Sequence, residues 1–324
     1  MGKLKAGIVG TNFISDWFCE SCLDSRAVLP VAVCSRDRER GRAFALKYGI
    51  ENVFCDYGEM LLSDIDLVYI ANPNSLHMPY SLDALRHGKH VLCEKPAALD
   101  RDSLTEAVAE AEKRGLVFME AMRTVHDPIA FAIKDLISRE GPVKEAHLSF
   151  RQYSSRYDSF KEGIILNAFN PALGNAAVMD IGIYPISLCV FLFGVPLEIK
   201  SSSEKLSNGF EGSGEALFRY PDLNVLISYS KIAAQEAPSH IDLGSKRITI
   251  GKISTMEQVL AGEIGGTAEE ILAERPRNNM VYEIMDFEKC VNDPSAAARW
   301  NEYSIQAISC VDRIRKQNGI FFEE

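Results

Sequence analysis

Short apolar runs alternate with segments of helical period through the first 120 residues. Lys5-Ala6-Gly7-Ile8-Val9-Gly10 reads as a buried strand ending in glycine, and residues 12–24 follow at helical spacing. Val28 to Cys34 is a second strand, followed by a charged helix from Asp37 to Tyr48 that stops at Gly49. Val53 to Cys55 and Asp66 to Ala71 are the third and fourth strands. A helix from Ser75 to Arg86 ends near Gly88, and His90 to Cys93 is the fifth strand. A helix from Arg101 to Arg114 ends at Gly115, and Val117 to Glu120 is the sixth strand. Strands of four to six apolar residues between helices of 10–15 predict a doubly wound parallel sheet with both faces covered.

Beyond residue 123 the pattern changes. A helix from Pro128 to Arg139 leads to an alternating strand, Val143 to Tyr153. Residues 154–178 read mostly as loop, and Asp180 to Phe193 as an apolar helix. Period-2 runs follow at 215–220, 224–232, 240–243, 246–250 and 253–260, and helices at about 278–292 and 302–317 close the chain. Strands in one block mark an α+β domain with a large open, mainly antiparallel sheet. The expected division is 1–122 and 123–324, inside an overall α/β fold.

Composition narrows the function. The 324 residues carry 35 Lys+Arg against 45 Asp+Glu, a net charge of −10, which argues against neutralising nucleic-acid phosphates. No apolar run is read as approaching the ~18–20 residues of a membrane span, and no signal-peptide core is read at the N-terminus. Ala6 departs from the Ser or Thr of a myristoylation signal. The eight cysteines are scattered, mostly inside apolar segments, as in a reducing, cytoplasmic compartment. Cys19 and Cys22 form a C-x-x-C, but mid-helix and on the apolar stripe of Ile14, Trp17 and Phe18, so they read as packing. No metal-ligand spacing is seen.

Four places carry candidate chemistry. Gly10, Thr11, Asn12, Phe13, Ile14 and Ser15 lie where a G-x-G-x-x-G/A turn belongs. Gly10 suits the tight turn; Asn12 replaces the second glycine and is the best other residue for a left-handed conformation. A plain strand-to-helix turn would read the same way. Ser35-Arg36 ends the second strand, where a hydroxyl and a guanidinium suit a 2′-phosphate, so NADP is favoured and NAD stays open. Asp37 reads as a helix cap. Glu94-Lys95-Pro96 ends the fifth strand; an ammonium there can stabilise alkoxide character, and a Lys-Pro bond is compatible with cis. Asp180 and Tyr184 stand one helical turn apart, so both could face a cleft, although a buried structural tyrosine is the simpler reading. His126 reads as a polar lead into a helix and His147 as a strand residue facing solvent. Arg151 to Arg156, with Tyr153 and Tyr157, read equally as a substrate mouth or a solvated loop.

In this order the motifs resemble those of the glucose-fructose oxidoreductase / inositol dehydrogenase / MocA (Gfo/Idh/MocA) family. The resemblance is carried by Gly7 to Thr11, Ser35-Arg36, Asn72-Pro73-Asn74-Ser75-Leu76-His77, Gly88 to Pro96, Met119 to Arg123 and Asp180 to Pro185. Tyr184 in place of a histidine is most similar to the dihydrodiol dehydrogenase and NADP-dependent xylose dehydrogenase branch. The resemblance implies an N-terminal NAD(P)-binding Rossmann domain and a C-terminal substrate domain whose sheet forms a homodimer or a dimer of dimers. It implies hydride transfer at a carbinol carbon of a sugar, cyclic polyol or vicinal diol. Lys95 would lie beside the nicotinamide ribose, Tyr184 would move the proton, and Asp180 would position substrate or Lys95. Gly10, Thr11, Asn12, Phe13, Ile14, Ser35, Arg36, Asn72, Pro73, Asn74, His77 and Glu94 would line the cofactor, and Arg123 the crevice between domains. Asn12, Gly174-Asn175-Ala176 and Tyr184 depart from the common pattern. The alternatives are a non-catalytic NAD(P) sensor on the same scaffold and an interaction protein without cofactor; retention of both Lys95 and Tyr184 favours the enzyme.

Overall fold

Six strands pair in parallel in the order β3-β2-β1-β4-β5-β6 in the computed structural model, which describes residues 2–272 and 274–322. They are β1 Leu4–Val9, β2 Val28–Cys34, β3 Asn52–Phe54, β4 Leu67–Ile70, β5 His90–Glu94 and β6 Phe118–Ala121. The connecting helices are α1 Phe13–Ser25, α2 Arg38–Tyr48, α3 Tyr57–Leu61, α4 His77–Arg86 and α5 Arg101–Arg114. β4 is buried at all four positions, as a parallel strand covered on both faces must be. Val9 pairs with both Cys34 and Ile70, so the next residues, Gly10, Ser35 and Ala71, lie side by side at the carboxyl edge. Strand order reverses between β1 and β4, which is where an open α/β sheet binds its ligand.

A second sheet has eight strands in the order β14-β13-β12-β11-β7-β10-β9-β8. The helices α6 Arg123–His126 and α7 Pro128–Glu140 precede β7 Glu145–Arg151. Then come α8 Arg156–Lys161, a π-helical turn Val178–Gly182 and α9 Ile183–Phe193. The remaining strands are β8 Glu198–Lys205, β9 Glu211–Arg219, β10 Asn224–Ser230, β11 Ser239–Leu243, β12 Lys246–Lys252, β13 Glu257–Glu263 and β14 Ala268–Glu270, before α10 Met280–Asn292 and α11 Ala297–Gln317. β7 and β10 run parallel and the other pairs antiparallel, so the sheet is mixed and mainly antiparallel.

Two compact units are present. One comprises Met1–Ala98, Asp102–Ala121 and Pro276–Glu302; the other comprises Leu99–Arg101, Met122–Arg275 and Tyr303–Glu324. A linear division at residue 122 assigns 276–302 to the second domain, whereas α10 packs against α1 in the first unit. Several sequence expectations are corrected. β8 has no counterpart among the expected runs, because Ser201-Ser202-Ser203 hides the alternation of an edge strand that, among the described residues, pairs only with β9. The run 253–260 is not one strand: β12 ends at Lys252, and the chain turns through the buried Ile253 and Met256. Pro171–Phe193 forms a 23-residue apolar stretch long enough to cross a membrane, contrary to the expectation that none existed; 89% of its most apolar window is buried, as in a core helix.

Polar groups buried in the second unit hold the π-helical turn. Glu211, 1% exposed, accepts the Val178 N–H at 2.8 Å and the Tyr229 hydroxyl at 3.0 Å. Tyr229 lies opposite Gly214 across the β9/β10 pair, and its hydroxyl fills the space a Cβ on Gly214 would need. A Cβ on Gly182 would lie 3.0 Å from the same ring.

Two outcomes follow. Gly214→Ala should destabilise the protein by about 1–3 kcal/mol through overpacking, read as a lower unfolding midpoint; an unchanged midpoint would show that Tyr229 moves aside without cost. Burial pushes the Glu211 carboxyl up to about 7, against the Val178 and Tyr229 bonds that favour its charged form. A carboxyl raised on folding gives stability that is full at low pH and lost as pH rises from the ordinary carboxylate range to about 7. Glu211→Gln keeps an acceptor for Val178 and removes the titration. Its melting midpoint relative to wild type should therefore be higher at pH 8 than at pH 5, and an equal offset at both would contradict the raised carboxyl.

Candidate functional site

The carboxyl edge of the first sheet is built around Gly10. Its φ of 102° is left-handed, and a Cβ there would lie 2.8 Å from the Ala71 carbonyl oxygen, so only glycine allows β1 to turn this close to the end of β4. Asn12 is not left-handed, contrary to the sequence argument: φ is −93° and ψ 178°. It is the N-cap of α1, its Oδ1 accepting the N–H groups of Ile14 at 3.0 Å and Ser15 at 3.4 Å. Its amide nitrogen donates to Ala71 O at 2.9 Å, so one side chain ties the helix start to the β4 tip. Thr11 and Ile14 are half-buried, whereas Phe13 is exposed and meets Trp17 edge-on at 5.9 Å.

The neighbouring tips carry the other expected residues. Ser35 is half-buried and Arg36 exposed directly after β2, and Asp37 caps α2 through the N–H groups of Glu39 and Arg40. Asn72, Pro73 and Asn74 follow β4 and are half-buried. Neither amide atom of Asn72 has a hydrogen-bond partner among the described residues, although both are buried. His77 is turned inward, its ring nitrogens 2.8 Å from Pro96 O and 3.0 Å from Asn72 O, which ties the β4 tip to the turn after β5. Burial pushes its pKa down to about 4. A neutral imidazole donates from one of the two nitrogens only.

The turn after β5 is held from three sides. The Tyr69 hydroxyl donates to Glu94 Oε1 at 2.5 Å, and Tyr69 stacks on Phe18 at 3.8 Å. Ala97 N–H donates to the buried Glu120 Oε1 at 2.9 Å. The Lys95-Pro96 bond is cis. Lys95 is half-buried, and its charge helps to hold the His77 pKa down. These clamps come from Tyr69, His77 and Glu120; the sequence marks His77 for the cofactor and Glu120 only as part of the Met119 to Arg123 motif.

A dinucleotide fits this edge on its own features. The Gly10 turn leaves backbone where a Cβ would obstruct, the buried amide of Asn72 is orphaned, and α1 points its N-terminus here.

The second unit carries Asp180 and Tyr184 on a helix that is not uniformly α. The π turn Val178–Gly182 bears Asp180, and α9 begins at Ile183, so the spacing from 180 to 184 crosses a change of helical period. π turns of this kind frequently mark functional sites. Tyr184 is buried near the start of α9, with Phe150 at 5.6 Å edge-on and the Arg123 guanidinium 5.7 Å from its ring centroid. Asp180 Oδ2 accepts the Lys231 ammonium at 2.6 Å. Tyr153 and Tyr157 join an aromatic cluster, with Tyr157 5.7 Å from Phe169. His126 is buried in α6, and His147 lies 2.8 Å from the Ser228 hydroxyl. Cys19 and Cys22 are buried on α1, and burial raises both thiols, so they pack rather than react. Lys231, Glu211 and Tyr229 escaped the sequence reading. They sit at strand ends, and nothing local distinguishes them from ordinary strand residues.

Residues 4–122 match the model of the GFO_IDH_MocA oxidoreductase family, NAD-binding Rossmann fold. The chain is 37% identical over 322 residues to the scyllo-inositol 2-dehydrogenase (NADP(+)) of Bacillus subtilis, covering 98% of each. It is 29% identical over 221 residues to the trans-1,2-dihydrobenzene-1,2-diol dehydrogenase of Oryctolagus cuniculus, 67% of this chain and 64% of that one. Its fold matches a 3-ketoreductase of Actinomadura kijaniata, solved with NADP and TDP-benzene, at a TM-score of 0.86, with 24% identity and 98% of each chain covered. The chain thus belongs to the Gfo/Idh/MocA oxidoreductase family and is an NAD(P)-dependent dehydrogenase or reductase acting on CH–OH groups.

Proposed function

We propose that this enzyme transfers hydride between NADP and its substrate, oxidising a carbinol carbon of a cyclic polyol, sugar or vicinal diol or reducing the corresponding carbonyl carbon, with Tyr184 as acid/base and Lys95 as its electrostatic partner. When bound, the dinucleotide supplies or takes up the hydride at its nicotinamide. The chain handles everything else. Gly10, the α1 N-terminus and Asn72 receive the dinucleotide at the β1/β4 edge. Ser35 and Arg36, at the β2 tip, meet the 2′-phosphate. Lys95, on a turn clamped by Glu94–Tyr69 and Glu120–Ala97, offers its ammonium to the reacting oxygen as negative charge develops there. Asp180 accepts a hydrogen bond from a substrate hydroxyl.

The observation that carries this reading is the placing of Tyr184. Hydride loss from a carbinol must be matched by loss of the proton from its oxygen, and the reverse reaction by its return, so a group that can hold or release a proton has to stand beside that oxygen. Tyr184 is buried against the Arg123 guanidinium at the start of a helix reshaped by a π turn. The tyrosine supports the dihydrodiol and xylose dehydrogenase branch. The end-to-end similarity to an enzyme named for scyllo-inositol and NADP(+) supports a cyclic polyol and NADP. The eight-stranded sheet, which buries Leu148, Ile227 and Phe218 on one face, is read as the homodimer interface on its other face.

Two measurements test the proposal. NADPH should bind more tightly than NADH in fluorescence titration, and Arg36→Ala should weaken NADPH alone, by about tenfold or more; equal loss for both cofactors would remove the 2′-phosphate assignment. In a screen of inositols, aldoses and vicinal diols, Tyr184→Phe and Lys95→Met should each lower kcat by about 10²–10⁴-fold while NADPH still binds. Near-normal turnover in either variant would overturn the mechanism.

A further inference from the structure

Lys231 is 5% exposed, an unusual place for an ammonium. Its Nζ donates to Asp180 Oδ2 at 2.6 Å and to the Ala168 carbonyl at 2.7 Å. It also lies over the rings of Phe169 and Phe210, 5.1 Å and 5.3 Å from their centroids. The Asp180 side chain is 37% exposed, so the ammonium reaches from the interior to a carboxylate that solvent also reaches. The ammonium is matched to its surroundings: a carboxylate and a carbonyl accept its hydrogen bonds, and two aromatic faces lie beside the charge.

Lys231 belongs to the strand ends that hold the π turn. Its own N–H donates to Gly212 O at 2.8 Å, which places it beside Glu211 across the β9/β10 pair. Glu211 takes the Val178 N–H, Tyr229 fills the space beside Gly182, and Lys231 takes the Asp180 carboxylate. Three points of the five-residue turn are therefore fastened to two strand ends. Holding the turn at 178 and 182 sets the path of its backbone, and the Lys231 bond acts on the carboxylate of Asp180 itself. The second bond, to Ala168, fastens the segment between α8 and the π turn to the same ammonium.

We infer that Lys231 is a positioning residue for the reaction: it fixes the orientation of the Asp180 carboxylate and couples it to the 166–170 segment, so that substrate meets an already oriented acceptor. The inference rests on the reading of Asp180 and Tyr184 as active-site residues and adds the group that orients the first of them. A misplacement of about 1 Å in a positioning group can cost about 10²-fold in rate.

The test is a double-mutant cycle on the full-length enzyme, with the polyol that the substrate screen identifies. Lys231→Met should lower kcat by about 10–100-fold, with the NADPH dissociation constant changed less than about twofold and a cooperative unfolding transition retained. Where Lys231→Met does not fold, Lys231→Gln keeps a donor for Ala168 without the charge and takes its place. In an Asp180→Asn background the same substitution should cost less than about threefold more, because the group it orients is already altered. Full recurrence of the loss in that background would assign Lys231 a merely structural part and overturn the proposal, as would an undiminished kcat in Lys231→Met. If Asp180→Asn itself turns over at the wild-type rate, the active-site reading falls, and this proposal with it. Impaired Asp180→Asn with additive Lys231→Met sinks this proposal alone.

Discussion

A helix that widens by one residue for a single turn has to be held from outside, because the wider turn forfeits the regular hydrogen-bond ladder that would hold it from within. Here the holding group is the carboxyl of Glu211. It accepts the Val178 N–H at the head of the π turn and the Tyr229 hydroxyl beside its tail, in a place where burial raises its pKa to about 7. The two glycines close to Tyr229 belong to the same arrangement. Gly182 lets the turn lie against the ring, and Gly214 lets the ring extend under its own strand. With the turn set, the first turn of α9 brings Tyr184 against Phe150 and Arg123. The acid/base geometry proposed for this enzyme thus depends on a carboxyl that touches neither substrate nor cofactor.

The first unit solves a parallel problem by other means. Its chemistry must sit at strand tips, where chain leaves the sheet and loses ladder bonds. Asn12 serves both sides, capping α1 with its oxygen and reaching Ala71 with its nitrogen. His77 joins the tips of β4 and β5, and Glu120 takes the Ala97 N–H from the neighbouring strand. Polar side chains replace the missing backbone partners, so the edge is stiff where Lys95 leaves it. A second glycine in place of Asn12 would open more backbone to a phosphate but would give up both of these ties.

The sheet of the first unit was legible because four to six buried apolar residues between helices admit few other arrangements, and β2 and β5 lie within a residue of their expected bounds. The caps were legible for the same local reason: Asp37 and Gly49 act on neighbours in sequence. What escaped depends on partners far along the chain. β8 is a serine-rich edge whose strand character comes from β9, and the π turn comes from Glu211, 33 residues beyond Val178. Lys231 stands 51 residues from Asp180, and nothing within its own segment marks it. α10 reads locally as a closing helix of the second domain; its apolar face meets α1, some 260 residues earlier, which no periodicity reports.

A cofactor sensor and an enzyme on this scaffold ask different things of the second unit. A sensor needs the β1/β4 edge and a surface that changes when that edge is filled; the orientation of a carboxylate in the other unit is immaterial to it. This chain instead places a lysine at 5% exposure, where desolvation of the charge is costly unless strong acceptors meet it. It then gives that lysine a partly exposed aspartate as its acceptor. Replacing such a pair with apolar residues of like volume commonly costs nothing in stability or improves it. Stability is therefore a poor reason for the arrangement, and the orientation of Asp180 proposed above is a sufficient one. The net charge of −10 points the same way. In a field that opposes anions on average, the placing of single cations matters: Arg36 directly after β2, Arg123 at the Tyr184 ring, and Lys231 against the carboxylate of the π turn.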